Sequence, residues 1–392
     1  MNSRERVAAA LAHREPDRTP RDLGGTESSG MTAAAFHAWD KGLARIFEPF
    51  QYVAEIGPET RARARIDTVN LTPWPRRWKA GTSGQGFPVS LPELWKEEPM
   101  PDGSTIVRAP DGTPAALRPA GGHYFEPAGR PLAGASTPGD IKAARGALAA
   151  CDWPWFADEP LDAMGRRAAN LAADGGCVVL NLCCHLLAAG QQLRGFENFL
   201  MDLAADRPMA DALLNELLDV HEERIERLAP VLAKHVDVVL LNDDLGTQNG
   251  PMLSPELYRE ALKPFQRRLF AAAKRHFGKP LLFHSCGSVA AFIPDLVEIG
   301  VDALNPVQLS AAGMDIRRLK RDFGSALTFW GGGVDTRDTL NHGTPSEVKD
   351  EVRRNVDILA PGGGFVFCQV HNIQPDVPPE NVAAMFEALD EP

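Results

Sequence analysis

Residues 279–289 read KPLLFHSCGSV, an apolar run that ends on a histidine and a cysteine two positions apart. Leu281, Leu282 and Phe283 predict an interior strand of a parallel sheet, because such strands are apolar on both faces and are bounded by Pro or Gly, here Pro280 and Gly287. Alternate residues of an extended chain face the same way, so His284 and Cys286 present an imidazole and a thiol side by side at the strand's carboxyl end. That pair is a two-toothed claw for a soft metal. The competing reading is a packed cysteine beside a histidine that finds only a hydrogen bond.

The same kind of run recurs along the second half of the chain, as VDVVLLNDDLG (236–246), VDALNPVQ (301–308), ALTFWGGGVD (326–335) and GGGFVFCQVHN (363–373). Between the runs lie helical stretches with start signals, such as Ser254 before Pro255 and Glu256, and Thr344 before Pro345 and Glu347. Strand, helix, strand at this spacing implies parallel pairing with right-handed crossovers. RTPRDLGG (18–25), IDTVNLTPW (66–74) and GCVVLNLCC (176–184) bring the strands to the number that closes a barrel. The expected fold is therefore α/β, a (β/α)8 TIM-type barrel, with residues 1–392 as a single domain. A doubly wound open sheet lacks its usual signature, since no G-x-G-x-x-G opens a helix after a strand. Residues 80–130 break the rhythm. MPDGSTIVRAPDGTPAALRPAGGHYFEP carries two Asp-Gly turns between short alternating runs, which predicts a β-hairpin insertion over one barrel mouth.

Composition narrows the function. With 44% apolar and 24% charged residues the chain can bury a large core, and no run approaches the ~20 apolar residues of a membrane span. The charged opening MNSRERVAAALAHREPDRTP lacks the apolar centre of a signal peptide, which points to the cytoplasm. Six cysteines, two of them adjacent as Cys183 and Cys184, suit a reducing compartment better than a disulfide framework. A net charge of −11 without clustered Lys and Arg argues against general nucleic-acid binding and leaves a small molecule or a protein as partner.

Barrel enzymes carry their reactive groups at the carboxyl ends of the strands, and here those ends are polar. They offer Asp22; Asn70; Cys183, Cys184 and His185; Asn242, Asp243 and Asp244; His284 and Cys286; Asn305 and Gln308; Asp335; and Cys368, His371 and Asn372. Asp243 and Asp335 also suit a helix cap, and the glycine runs 331–333 and 362–364 suit tight turns better than a phosphate cradle. A catalytic zinc takes three protein ligands and keeps a fourth position open, and thiolate with imidazole is a donor set it accepts. The last strand supplies the third ligand from Cys368 or His371. Cys368 lies inside the apolar FVFCQV, whereas His371 lies in the loop beyond it and is the better placed.

MNSRERVAAALAHREPDRTP, DDLGTQNGPMLSPELYRE, HSCGSV and VHNIQPDVPPENVAAM together resemble the uroporphyrinogen decarboxylase superfamily, over essentially the whole chain. The resemblance implies a (β/α)8 barrel and one of two activities. True decarboxylases carry an Arg-Gln-Ala-Gly-Arg segment at the end of the first strand to hold a many-carboxylate substrate. This chain has RDLGGTESSG there and lacks the clamp. The zinc-dependent methyltransferases that work with corrinoid proteins resemble it in His-x-Cys-Gly, at His284, Cys286 and Gly287. Aligning their Pro-x-Glu-Asn segment with Pro378, Glu380 and Asn381 puts His371 where they carry a cysteine. The resemblance thus implies a zinc-dependent methyltransferase that moves a methyl group between a small molecule and the cobalamin of a partner corrinoid protein. Zinc would sit on His284, Cys286 and His371, and Asp243, Asp244 and Asp335 would orient or protonate the substrate. The alternatives are a cofactor-free decarboxylase using a buried carboxylate such as Asp22, and a non-catalytic corrinoid- or metal-binding accessory protein.

Overall fold

The computed structural model describes every residue except 84, 85, 147, 149–153 and 392. Seven parallel strands, Thr68–Asn70, Cys177–Asn181, Val238–Asn242, Leu281–His284, Ala303–Asn305, Thr328–Trp330 and Phe365–Val366, lie side by side in chain order in one sheet. Sequential parallel neighbours joined by helices are the TIM-like arrangement. The first expected strand is reduced to a short extended segment, hydrogen-bonded to both edges of this sheet. Asp22 N–H donates to Phe367 O, Phe367 N–H to Pro20 O and Asp67 N–H to Arg21 O, each at 2.8 Å. Pro20 has no N–H for a ladder, and Gly24 turns the chain away at φ 73°, so the segment cannot lengthen.

Helix boundaries follow local chemistry. Ser254 caps the helix Pro255–Ala261 by accepting from Leu257 N–H at 3.1 Å. The long helical stretch expected from this point breaks at Leu262 and resumes as Lys263–Phe277, because Pro264 offers no N–H and crowds the preceding turn. Thr344 and Glu347 form the capping box that opens Pro345–Leu359. No helix among the described residues is long and apolar enough to cross a membrane.

Residues 97–127 form a four-stranded antiparallel sheet, with Gly103 and Gly112 of the two Asp-Gly turns at φ 84° and 86°. A second small sheet was not foreseen. In it Ala44–Glu48 pairs in parallel with Pro88–Pro92, which in turn pairs with Trp78–Thr82.

The alternation of the parallel strands positions the site. Cys177, Val179, Val238, Leu240, Leu282, Ala303 and Val366 pack together with Val7 and Ala10 of the helix Ser3–Leu11 in one apolar cluster. Their neighbours Val178, Leu180, Val239, Leu241, Phe283 and Leu304 belong to the larger core on the other face. Continuing the first set by two residues along each strand gives Asn181, Asn242, His284 and Asn305, all buried. The same face is thus apolar where the strands start and polar where they end.

Candidate metal centre

Asn242, His284 and Asn305 are register partners on three adjacent strands, so their side chains form a row. Asn305 donates from Nδ2 to Trp330 O at 3.0 Å, which fixes the amide and turns its Oδ1 toward His284 Nδ1 at 2.7 Å. Ser28 Oγ lies 2.9 Å from the same nitrogen and is free to donate elsewhere or accept. A carbonyl oxygen accepts only, so His284 Nδ1 carries the proton and Nε2 keeps its lone pair. That lone pair faces Cys286 Sγ at 3.4 Å.

His371 completes the group. The donor atoms of His284, Cys286 and His371 all lie within 4.8 Å of one another, and the two imidazole rings stand 5.9 Å apart. Zinc bonds of about 2.0–2.3 Å at tetrahedral angles require donor separations of roughly 3.3–3.8 Å. The His284–Cys286 pair already meets this, and His371 needs only a small approach. His371 sits at φ 65°, a left-handed turn that costs a non-glycine residue on the order of 1 kcal/mol and swings the ring out of the strand direction. Asn372 N–H donates to His371 Nδ1 at 2.8 Å, so the neutral ring holds its proton on Nε2. Ligation through either nitrogen displaces that bond, at about 1 kcal/mol. Cys368 is elsewhere: fully buried, with Asn305 Nδ2 3.6 Å from its sulfur, and outside the three-residue group.

The electrostatics of the site favour a cation. Burial and the neighbouring Asp244 push the Cys286 thiol well above its ordinary range, so without a cation it holds its proton. Burial and the adjacent His284 lower His371 to about 4, leaving it a neutral donor at physiological pH. Asp244 Oδ1 accepts from Cys286 N–H at 2.8 Å and lies 3.9 Å from His284 Nε2. This donor set and spacing fit zinc, which His284, Cys286 and His371 would hold.

The other two aspartates singled out in the sequence are engaged by backbone. Asp243 accepts from the amides of Leu186, Leu187 and Ala188 at 2.9–3.1 Å and from Gln266 at 3.2 Å, so it caps the helix Leu187–Arg194. Asp335 accepts from the amides of Arg337 and Asp338 at 2.7 and 3.2 Å. Asp22 is buried and gives Oδ1 to Gly25 N–H and Thr68 Oγ1, and Oδ2 to Trp330 Nε1. Of the three aspartates assigned to catalysis, Asp244 is the one at the histidine–cysteine pair.

Sequence reasoning missed Glu27 and Ser28. Their loop is pinned to both ends of the site, since Ser28 meets His284, Glu27 O accepts from Asn372 Nδ2 at 2.9 Å and Gly30 N–H donates to Asn372 Oδ1 at 2.8 Å. The Glu27 carboxylate accepts from Asn242 Nδ2 at 2.9 Å and from Asn181 Nδ2. The polar run Thr26–Ser29 straight after a Gly-Gly at a strand end was the available signal, because such loops build barrel active sites.

Residues 180–392, more than half of the chain, match the family described as uroporphyrinogen decarboxylase (URO-D). The uroporphyrinogen decarboxylase of Legionella pneumophila (strain Corby) is 29% identical over 217 residues, 54% of this chain and 55% of that protein. The methylcobamide:CoM methyltransferase MtaA of Methanosarcina barkeri (strain Fusaro / DSM 804) is 26% identical over 187 residues, 46% of this chain and 49% of that protein. The chain thus spans about half the length of the curated relatives it matches. A solved methyltransferase from Methanosarcina mazei superposes with a TM-score of 0.56, covering 100% of this chain and 98% of that one at 16% identity, a likeness of fold. On the match over its carboxyl-terminal half, the chain belongs to the uroporphyrinogen decarboxylase family.

Proposed function

We propose that this protein is a zinc-dependent methyltransferase that acts with a corrinoid protein and moves a methyl group between a small molecule and cobalamin. One observation carries the reading: His284, Cys286 and His371 converge, with the His284 proton held away from Cys286 by Asn305. Zinc bound there would serve as a Lewis acid, holding a thiol as thiolate or polarising an ether oxygen. Asn305 and Ser28 orient His284, and Asp244 holds the Cys286 backbone. Similarity to MtaA supports the methyltransferase class, and the corrinoid partner comes with it.

A cytoplasmic, single-domain protein spanning residues 1–392 belongs to this proposal, as does a role for residues 80–130 as an insertion over the mouth. Free thiols at Cys177, Cys184, Cys286 and Cys368 suit a reducing compartment. Asn372 contacts Gln51 at 3.2 Å, while the next residue, Tyr52, donates to Glu97 at 2.5 Å and accepts from Arg118 at 3.1 Å. A short chain of contacts thus runs from the histidine loop to the small sheet.

The decarboxylase reading is favoured by the similarity to the Legionella enzyme. It is weakened by Asp22, whose oxygens are occupied, and by Arg21, whose guanidinium turns to Leu389 O, Asp390 and Ala64 O. The deciding experiment measures zinc in the purified protein and follows the visible spectrum of methylcobalamin with candidate thiols, before and after chelation. Zinc near one equivalent with chelator-sensitive demethylation supports the proposal. Turnover of uroporphyrinogen by metal-free protein overturns it.

A further inference from the structure

Beside the three donor residues lies a second polar group that their chemistry does not use. Glu27 holds its carboxylate between the side-chain amides of Asn242 and Asn181, and Asn242 Nδ2 also lies 3.3 Å from His185 Nε2. Asn242 is the register partner of His284, so this group abuts the donor set. Asn242 must point its NH2 at Glu27, because the reverse would set an amide oxygen against a carboxylate. Its Oδ1 is then left without any hydrogen-bond partner, although the residue is only 6% exposed. A buried acceptor without a partner costs about 1–3 kcal/mol, so positive charge placed near it is favoured.

The charge around this atom is of one sign. Glu27 bonds Asn242 itself, Asp244 lies 3.9 Å from the neighbouring His284 Nε2, and among the described residues no Lys or Arg forms an ion pair with Glu27, Asp244 or Glu48. Burial and the neighbouring Glu27 raise the Glu48 carboxyl to about 7, which agrees with a pocket short of positive charge. An anionic substrate would meet repulsion here. A cation would gain the Glu27 carboxylate, with the Asn242 amide beside it.

We propose that the small-molecule partner in methyl transfer is an organic cation, a protonated or quaternary amine, whose positive charge is held by the Glu27 carboxylate beside Asn242, next to the three donor residues. This rests on the methyltransferase reading and names the substrate class for its site. The test uses full-length protein loaded with cobalt(II), whose visible spectrum reports a thiol binding to the metal. Two thiols of the same shape are compared, thiocholine and its uncharged isostere 3,3-dimethylbutane-1-thiol. Wild type should bind thiocholine about tenfold or more tightly than the isostere, the equivalent of one charge-assisted contact. Glu27→Gln, which removes the charge, keeps the shape and keeps one of the two amide contacts, should bring the two thiols within about twofold and leave cobalt content unchanged. Equal affinities in wild type, or an undiminished preference in Glu27→Gln, overturn the proposal. Loss of cobalt from Glu27→Gln also overturns it, by making the carboxylate part of the metal's own shell. A wild-type protein that binds no cobalt, or shows no thiol band with either compound, sinks the metal-centred methyltransferase reading itself.

Discussion

His284 and Asn305 are register partners on neighbouring strands, and the 2.7 Å contact from His284 Nδ1 to Asn305 Oδ1 decides which imidazole nitrogen faces Cys286. Without that acceptor the ring is free to place its proton on Nε2, where it blocks the metal. Outer partners of ligating histidines typically contribute about 10–100-fold in metal affinity. Asn305→Leu should therefore weaken zinc binding by about that factor, measured by competition with a chelator. Unchanged zinc affinity in a folded Asn305→Leu protein would remove this residue from the account.

The third donor is tested by a pair of variants. His371→Ala should lose most of its zinc, because removing a ligand is at least as costly as the roughly 10–100-fold typical of an outer partner. Cys368→Ser should keep its zinc, since Cys368 lies against Asn305 outside the donor group, and should lose about 1–2 kcal/mol of stability from an altered buried side chain. Metal analysis of the two proteins settles it. Zinc lost from the Cys368 variant and kept in the His371 variant reverses the assignment.

What the sequence made legible follows from the range of the interactions. His284 and Cys286 were readable because two-residue alternation is local, and His371 because it lies just past an apolar run. The parallel strands were readable by the same alternation, although most proved shorter than their apolar runs, as with Ala303–Asn305 within 301–308. Ser28 meets His284 across 256 positions, and no local period announces such a contact. Asp243 caps a helix that starts 56 residues earlier, at Leu187, rather than the helix that follows it, so its role was hidden even where capping had been considered.

That cap distinguishes two adjacent aspartates. Asp243→Ala leaves the amides of Leu186, Leu187 and Ala188 without an acceptor inside the protein, at a cost of about 2–4 kcal/mol. It should lower the melting temperature of metal-free and metal-loaded protein alike. Asp244→Ala removes one acceptor for Cys286 N–H at a half-open position and should disturb stability by about 1 kcal/mol, with its larger effect on zinc affinity. Thermal melts with and without zinc separate the two. Equal losses of stability would show that both residues serve the scaffold.

Acid should destabilise the metal-free protein through His371. Its folded value of about 4 lies below the ordinary 6.5 because the ring is buried next to His284. Between those values the unfolded chain binds a proton that the folded site refuses, so stability falls as pH drops from 6.5 and the loss is complete below 4. The full difference is about 3 kcal/mol, at 1.36 kcal/mol per pH unit. His371→Gln cannot take up this proton and should show a flatter stability curve over that interval. Denaturant melts of chelator-treated wild type and His371→Gln, compared between pH 4 and 7, measure the slope. Parallel curves would show that His371 is solvated and already free to protonate, and so is not held as a neutral, inward-facing donor.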